Sequence, residues 1–221
     1  MQWRVYVEGD DSSLERLAIL LHGLDVELQL DTEHPYLHGG AISEAIDAHS
    51  ALQRASELLP RLNAAGRLDS PSFRPVHVGS RVSDGTGPHT VFAQAHLSGE
   101  GRLFAGGDPG PSLTSALLTT VRSDAHFAQA VELFGSSPDL VWGDLYKIYE
   151  LLEYAAEGRL RERVGISKSQ EDAFTASAND AGISGTQARH AIPRKQQAKR
   201  SMTNREAQEL VRQMLAAWLR Y

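Results

Sequence analysis

The sequence predicts an α+β protein in which a small N-terminal antiparallel sheet with two helices precedes an all-α C-terminal helical bundle. At the N-terminus Trp3, Val5 and Val7 alternate with Gln2, Arg4 and Tyr6, which is the period of a strand. Residues 99–111 are rich in glycine and proline, as in a linker, and the apolar patterns beyond them all have helical spacing. We therefore expect an α+β domain at residues 1–105, a linker at 99–111 and an all-α domain at 112–221.

The apolar patterns in the first half of the sequence predict seven elements in this order: strand, helix, strand, short strand, helix and a final pair of strands. Ser12 and Glu15 have the spacing of a capping box, which predicts the start of the first helix. An apolar stripe from Ile46 to Leu62 predicts the second helix. Residues 84–87 read Asp-Gly-Thr-Gly and predict a hairpin between the last two strands. This order is typical of an antiparallel sheet with two helices on one face.

The second half carries start signals for successive helices. Asp124 is placed to cap a helix that ends at Gly135, and residues 137–138 (Ser-Pro) predict the start of a long helix, since proline fits the first helical position. Ser167 with Gln170 and Thr203 with Glu206 form two further capping boxes. The last helix has a continuous apolar face that we expect to be buried: Leu210, Val211, Met214, Leu215 and Trp218.

Composition excludes several classes of protein. The 221 residues contain no cysteine, which excludes disulfides and thiolate metal sites and fits a reducing cytoplasm. No apolar window is long enough for a membrane span. The histidines show no metal-ligand pattern, and the motifs that bind nucleotides or build hydrolase sites are absent from the sequence. We therefore expect a cytoplasmic protein with no metal, no cofactor and no membrane association.

Charge is distributed unevenly along the chain. Residues 1–110 hold 15 acidic and 8 basic side chains, whereas residues 181–205 contain no acidic residue at all. That basic run carries a single histidine, His190, next to Arg189. In a chain of net charge −6, an acid-free basic run beside a lone histidine is where anion binding or chemistry is most expected.

The predicted long helix carries Tyr146 and Glu150 on one strip, together with two further glutamates, at 100° per residue. Either this strip is a solvated face, or Glu150 with Tyr146 orients Arg189 or His190 from the later loop. A carboxylate beside an imidazole raises its pKa and fixes its tautomer, as acid–base catalysis requires.

Asn179 ends a predicted helix, where asparagine often serves as a C-cap, and the loop with Arg189 and His190 follows. Either this polar cluster holds the loop against the helices, with Arg189 paired to Glu150, or it recognises phosphate, because a guanidinium binds phosphate bidentately.

The basic loop that follows either is solvated or binds RNA phosphates. It contains no aromatic residue, although proteins that bind single strands usually place rings among their cations. The candidate binding residues of this loop are Arg194, Lys195, Lys199 and Arg200.

Residues 112–221 resemble a HEPN-type domain, the helical module of many prokaryotic ribonucleases and abortive-infection proteins. The resemblance rests on the helix with Tyr146 and Glu153, a helix that ends near Asn179, a loop with residues 189–190 and a closing amphipathic helix. The active motif of that family places an arginine four to six residues before the histidine, whereas here the two are adjacent. The resemblance implies a homodimeric scaffold with a binding or assembly role, in bacterial stress or phage defence.

We accordingly expect a non-enzymatic protein that binds RNA or a partner protein. One alternative is a metal-independent ribonuclease, with His190 as general acid or base, Arg189 stabilising phosphate charge and Glu150 as orienting group. Another is a protein-interaction module that acts through the acidic N-terminal domain.

Overall fold

A computed structural model describes residues 2–31, 34–86, 90–92, 112–137, 139–185 and 201–220. The chain forms two compact units, Met1–Leu118 and Thr119–Tyr221, here called the N-terminal unit and the helical unit. The predicted linker at 99–111 lies outside the described residues, so the predicted domain boundaries stay a prediction. Within the described ranges, no helix combines the length and apolar character that a bilayer span requires.

The N-terminal unit contains a five-stranded antiparallel sheet in the order β2-β3-β1-β4-β5. Because β3 pairs antiparallel with both β1 and β2, those two strands run in the same direction with β3 between them, which is a split β-α-β arrangement. The α+β class is therefore confirmed. Its elements are β1 (Arg4–Glu8), α1 (Asp11–Leu21), β2 (Val26–Gln29), β3 (Tyr36–Gly39), α2 (Gly40–Ser43), α3 (Ala48–Asp69), β4 (His77–Ser83) and β5 (Thr90–Val91).

Helices α1 and α3 pack on one face of this sheet. Their apolar residues share a buried cluster with Val5, Val7 and Leu37, which alternate with outward-facing residues along β1 and β3. Trp3 joins this cluster, and its indole N–H donates to the carbonyl of Ala45 at 2.8 Å. The side chains at the intervening strand positions therefore lie on the opposite, outer face.

Two local predictions in this unit were wrong. Asp10, not Ser12, is the N-cap of α1, because its carboxylate accepts from the backbone N–H of Ser13 at 3.0 Å. Ile46 is 89% exposed instead of buried, because Asp47 caps α3 and leaves Ile46 outside the helix.

The helical unit forms a bundle, and the predicted all-α character of this region is confirmed. Helix α4 (Ser112–Ser123) begins before the division at Leu118. The helices that follow are α5 (Ala125–Ser136), α6 (Trp142–Ala155), α7 (Leu160–Val164), α8 (Lys168–Asn179), α9 (Ala181–Ser184) and α10 (Asn204–Trp218).

Most of the predicted helix starts are confirmed. Asp124 caps α5, and the capping boxes at Ser167 and Thr203 begin α8 and α10. The predicted start of the long helix, at residues 137–138, was wrong. Helix α6 begins at Trp142, and Ser137 is the C-cap of α5. Its hydroxyl reaches forward to Asp144 in the first turn of α6 at 3.2 Å, so this serine bridges the two helices.

The predicted buried face of the last helix is also confirmed, with all five of its apolar residues in the core. Trp218 is 1% exposed and stacks on Phe127, with 5.5 Å between the ring centroids. The guanidinium of Arg163 lies 3.8 Å from the centroid of the Trp218 ring. This aromatic and cationic cluster joins α5, α7 and α10.

Candidate functional site

A cleft of about 890 Å³ opens on the helical unit and is lined by residues from the start of α5 and from α6 with the turn that follows it. Only five residues connect these two helices, which makes them antiparallel neighbours, so the start of α5 lies opposite the end of α6. The cleft is lined by Asp124, His126, Tyr146, Tyr149, Glu150, Glu153, Tyr154, Ala155, Glu157 and Gly158.

The first wall is fixed by the cap of α5. The carboxylate of Asp124 accepts from the backbone N–H groups of His126 and Phe127, at 3.1 and 3.0 Å. The His126 ring packs against that of Tyr154 on α6, with 4.4 Å between centroids and a tilt of 52°. Tyr154 is 70% exposed, so this ring pair forms a rim open to solvent.

The second wall follows from the helical repeat of α6. Tyr146, Glu150 and Glu153 recur at intervals of four and three residues and face the same side, and Glu157 joins them from the turn after the helix. Beyond the helix, Glu157 has a φ of 52° and Gly158 a φ of 77°, and this left-handed turn reverses the chain beside the cleft. The strip predicted as a solvated or orienting face is thus one wall of a cleft.

Two of the lining tyrosines pack on a buried aromatic ring. The rings of Tyr146 and Phe174 are nearly parallel, with centroids 6.4 Å apart, and the ring of Tyr149 lies 5.4 Å from that of Phe174. Since Phe174 is fully buried in α8, it holds both tyrosine rings in place.

Tyr149 also belongs to a polar network. Its hydroxyl donates to Glu171 Oε1 at 2.8 Å, and Arg161 Nε pairs with the other oxygen of that carboxylate at 3.0 Å. Burial, followed by the hydrogen bond to Glu171 and the negative charges of Glu171 and Glu153, raises the pKa of Tyr149 well above its usual value. This hydroxyl is therefore a hydrogen-bond donor and not an acid–base group near neutral pH.

The electrostatic character of the cleft is acidic. Four of its lining residues are carboxylates, and none of the described lining residues is lysine or arginine. Glu153 Oε2 is buried and accepts no hydrogen bond from any described residue. A buried carboxylate oxygen is stabilised only when a donor or a cation approaches it.

Of the predicted site residues, the structure places Tyr146 and Glu150 in this cleft. Asn179 lies elsewhere: it is the last residue of α8, Asp180 is the C-cap, and the Asn179 amide donates to the carbonyl of Thr175 at 2.7 Å. The remaining predicted residues lie outside the described part of the chain: Arg189, His190, Arg194, Lys195, Lys199 and Arg200.

Sequence reasoning missed His126, Tyr149 and Tyr154. A signal was present, because a short connection between two helices predicts that residues near 126 and 154 face each other. Among the described residues no group of three or more histidine, aspartate or glutamate side chains is arranged to hold a metal ion.

Comparisons of this chain with family models, curated proteins and solved structures find no match of any of the three kinds. The resemblance of residues 112–221 to a HEPN-type domain therefore stays a prediction.

Proposed function

We propose that this protein is a non-enzymatic binding protein and that the cleft of its helical unit takes up a basic segment of a partner protein. The observation that carries the proposal is the pairing of four carboxylates with three tyrosine rings around one concavity. Such a lining attracts lysine and arginine side chains both by charge and by the electron-rich faces of the rings.

The cleft has the dimensions and polarity that a peptide side chain requires. Its volume of about 890 Å³ accommodates several side chains. A guanidinium presents five N–H donors, enough to bind two neighbouring carboxylates of the lining at once. A cation over a tyrosine ring adds about 0.5–2 kcal/mol, depending on how far it is desolvated.

Phosphate is a poor occupant of the same cleft. Like charges repel, and an anion in the cleft would face the carboxylates of Glu150 and Glu153, whereas the carboxylate of Glu157 is paired with Arg159 at 3.8 Å. This argues against Glu150 as the orienting group of a ribonuclease. The ribonuclease alternative stays a prediction, because His190 and Arg189 lie outside the described residues.

The proposal is tested with a fluorescent six-residue arginine peptide and a glutamate peptide of equal length. We expect the wild-type chain to bind only the arginine peptide, and Glu150→Gln with Glu153→Gln to weaken that binding about tenfold, or about 1.4 kcal/mol.

The matched control is Glu162→Gln with Asp172→Asn, which removes the same charge from exposed positions of the helical unit outside the cleft. Equal weakening by both variants would mean that the peptide senses net charge alone, and the assignment of the cleft would be wrong.

A further inference from the structure

The outer face of the N-terminal sheet carries a cluster of aromatic side chains on and beside the neighbouring strands β1 and β3. Tyr6 of β1 is paired in register with Tyr36 of β3, and their ring centroids are 5.8 Å apart. The ring of His34 meets Tyr6 edge-on at 6.1 Å, and that of His38 lies 5.7 Å from Tyr36. Four rings therefore form one continuous cluster, here called the ring platform.

The strand register places this platform away from the core. Val5 and Leu37 are paired neighbours with no exposed surface, and they point toward α1 and α3. Because side chains alternate along a strand, Tyr6, Tyr36 and His38 point to the opposite face. All three are partly exposed.

Cations flank the platform on two sides. The guanidinium of Arg4 lies 5.1 Å from the centroid of the Tyr36 ring. Arg81, an exposed residue of β4, is 2.8 Å from the imidazole of His34 through its Nη1 atom. Rings and guanidinium groups are thus interleaved on this face, with Tyr36 on β3, Arg4 and Tyr6 on β1 and Arg81 on β4.

Two carboxylates bound the same face. Glu27 lies on the edge strand β2, 3.8 Å from the imidazole of His38, and Glu8 is the last residue of β1. Among the described residues, guanidinium groups contact the Tyr36 and His34 rings and a carboxylate approaches the His38 ring, so the groups next to the rings carry two positive charges and one negative charge.

We propose that the ring platform binds single-stranded RNA. Unpaired bases would stack on the rings of Tyr6 and Tyr36, with Arg4 moving from the face of Tyr36 to one phosphate and Arg81 contacting a second. Stacking on aromatic rings within a positive groove is the general mode of single-strand recognition, and an open antiparallel sheet offers the flat surface that splayed bases require.

The position of the strands and the hydrogen-bonding groups favour RNA over a peptide or DNA. A peptide bound along a sheet usually pairs with an exposed edge strand, whereas β1 and β3 are central and already paired on both sides. The amide of Gln2 lies 3.3 Å from the imidazole of His38, and this polar pair stands beside the rings where a ribose 2′-hydroxyl could be bound.

This proposal does not depend on the cleft of the helical unit and differs from the predicted use of residues 194–200. It assigns RNA binding to residues whose rings and cations are in contact, in the half of the chain whose overall charge gave no such indication. The variants described below change the ring platform and leave the basic run intact, so a loss of affinity is assigned to the platform.

The test is fluorescence anisotropy of the full chain with a labelled ten-nucleotide single-stranded RNA of mixed sequence at low salt. We expect Tyr6→Ala with Tyr36→Ala to weaken binding at least tenfold, because each lost stacking partner weakens binding several-fold or more. Tyr6→Phe with Tyr36→Phe keeps both rings and should stay within about threefold of wild type.

The contribution of the cations is measured in the same assay. Arg4→Ala with Arg81→Ala should weaken binding and lower the slope of log affinity against log salt by about 1.4, since each phosphate contact on a single strand contributes about 0.7. Arg54→Ala with Arg74→Ala removes equal charge from positions outside the platform and should leave the slope near that of wild type.

Three results would overturn the proposal: no binding by wild type at low salt, equal affinity for a duplex RNA, or unchanged affinity in the folded alanine variant of the two tyrosines. Equal affinity for DNA of the same sequence would contradict the assignment to RNA. Should that alanine variant fail to fold, an unaltered salt slope in the arginine variant would overturn the proposal instead.

Discussion

The ring platform of the N-terminal unit and the cleft of the helical unit both contain tyrosine rings, but the charged side chains next to those rings differ in sign. In the platform, Tyr6 and Tyr36 lie among arginine and histidine side chains on one face of a sheet. In the cleft, three tyrosines lie among four carboxylates in a concavity. Tyrosine supplies contact area and a polarisable face in both cases, and the neighbouring charges decide whether an anion or a cation is attracted.

The two surfaces are also built by different geometric rules. The platform depends on strand register, because pairing Tyr6 with Tyr36 brings together residues from β1 and β3 that are far apart in sequence. The cleft depends on the repeat of one helix, which aligns Tyr146, Glu150 and Glu153 without any partner. A slip of one residue would destroy the platform, whereas the α6 wall of the cleft is encoded locally.

The largest expected effect comes from removing the aromatic centre of the helical unit. Trp218→Ala should lower the free energy of unfolding of that unit by about 3–5 kcal/mol, because the cavity and the lost contacts with Phe127 and Arg163 both destabilise it. Circular dichroism during chemical denaturation measures this loss.

Trp218→Phe is the matched control, since it keeps a ring and removes an indole N–H that has no hydrogen-bond acceptor among the described residues. RNA binding at the platform should persist in both variants. A parallel loss of RNA binding in Trp218→Ala would break the distinction between the two units.

A smaller effect is expected for a destabilising substitution in the core of the N-terminal unit. The Asn63 side chain donates to the carbonyl of Val76 and accepts from its N–H, both at 2.9 Å in a buried position. Asn63→Ala leaves both backbone groups without their partner and should destabilise this unit by about 2–4 kcal/mol. Thermal denaturation measures it, with Ser56→Ala on the same helix as a control of smaller effect.

Arginine-peptide binding in the cleft should survive Asn63→Ala at a temperature where the helical unit remains folded. If peptide binding and N-terminal stability fall together, the two surfaces do not act separately.

The smallest effect distinguishes the ring of Tyr149 from its hydroxyl. Tyr149→Phe removes the hydrogen bond to Glu171 and should cost about 1–2 kcal/mol near pH 8, while the retained ring keeps peptide binding close to wild type. Because the pKa of Tyr149 is raised on folding, the unfolded chain loses this proton first as the pH rises past about 10.

Wild-type stability should therefore fall above pH 10, and its advantage over Tyr149→Phe should shrink there. Urea denaturation at pH 8 and pH 10.5 measures the difference, with Tyr154→Phe at an exposed position as control. A gap that widens with pH would contradict the raised pKa.

Local signals in the sequence predicted most of the helical unit. Ser167 and Thr203 begin helices because their side chains satisfy free backbone N–H groups a few residues away, and the apolar face of α10 follows from its own repeat. In the N-terminal unit, Asp10 was missed as a cap because Ser12 and Glu15 also have the spacing of a capping box. In the structure the Asp10 carboxylate accepts from the backbone N–H of Ser13 and begins the helix.

The two candidate surfaces needed more than local signals. The strip from Tyr146 to Glu157 could be predicted from α6 alone, but its placement opposite His126 depends on how α5 and α6 pack. The ring platform could not be predicted, because nothing near Tyr6 in sequence specifies that β3, and not another strand, pairs with β1.

The assignment of opposite partners to the two surfaces is tested most directly by measuring two variants against two probes in separate titrations. The tyrosine pair of the platform is replaced by alanine in one variant, and Glu150 and Glu153 are replaced by glutamine in the other. We predict that the platform variant loses affinity for single-stranded RNA and keeps it for the arginine peptide, and that the cleft variant does the reverse. Loss of both probes in either folded variant, or of neither, would contradict the assignment of opposite partners to the two surfaces.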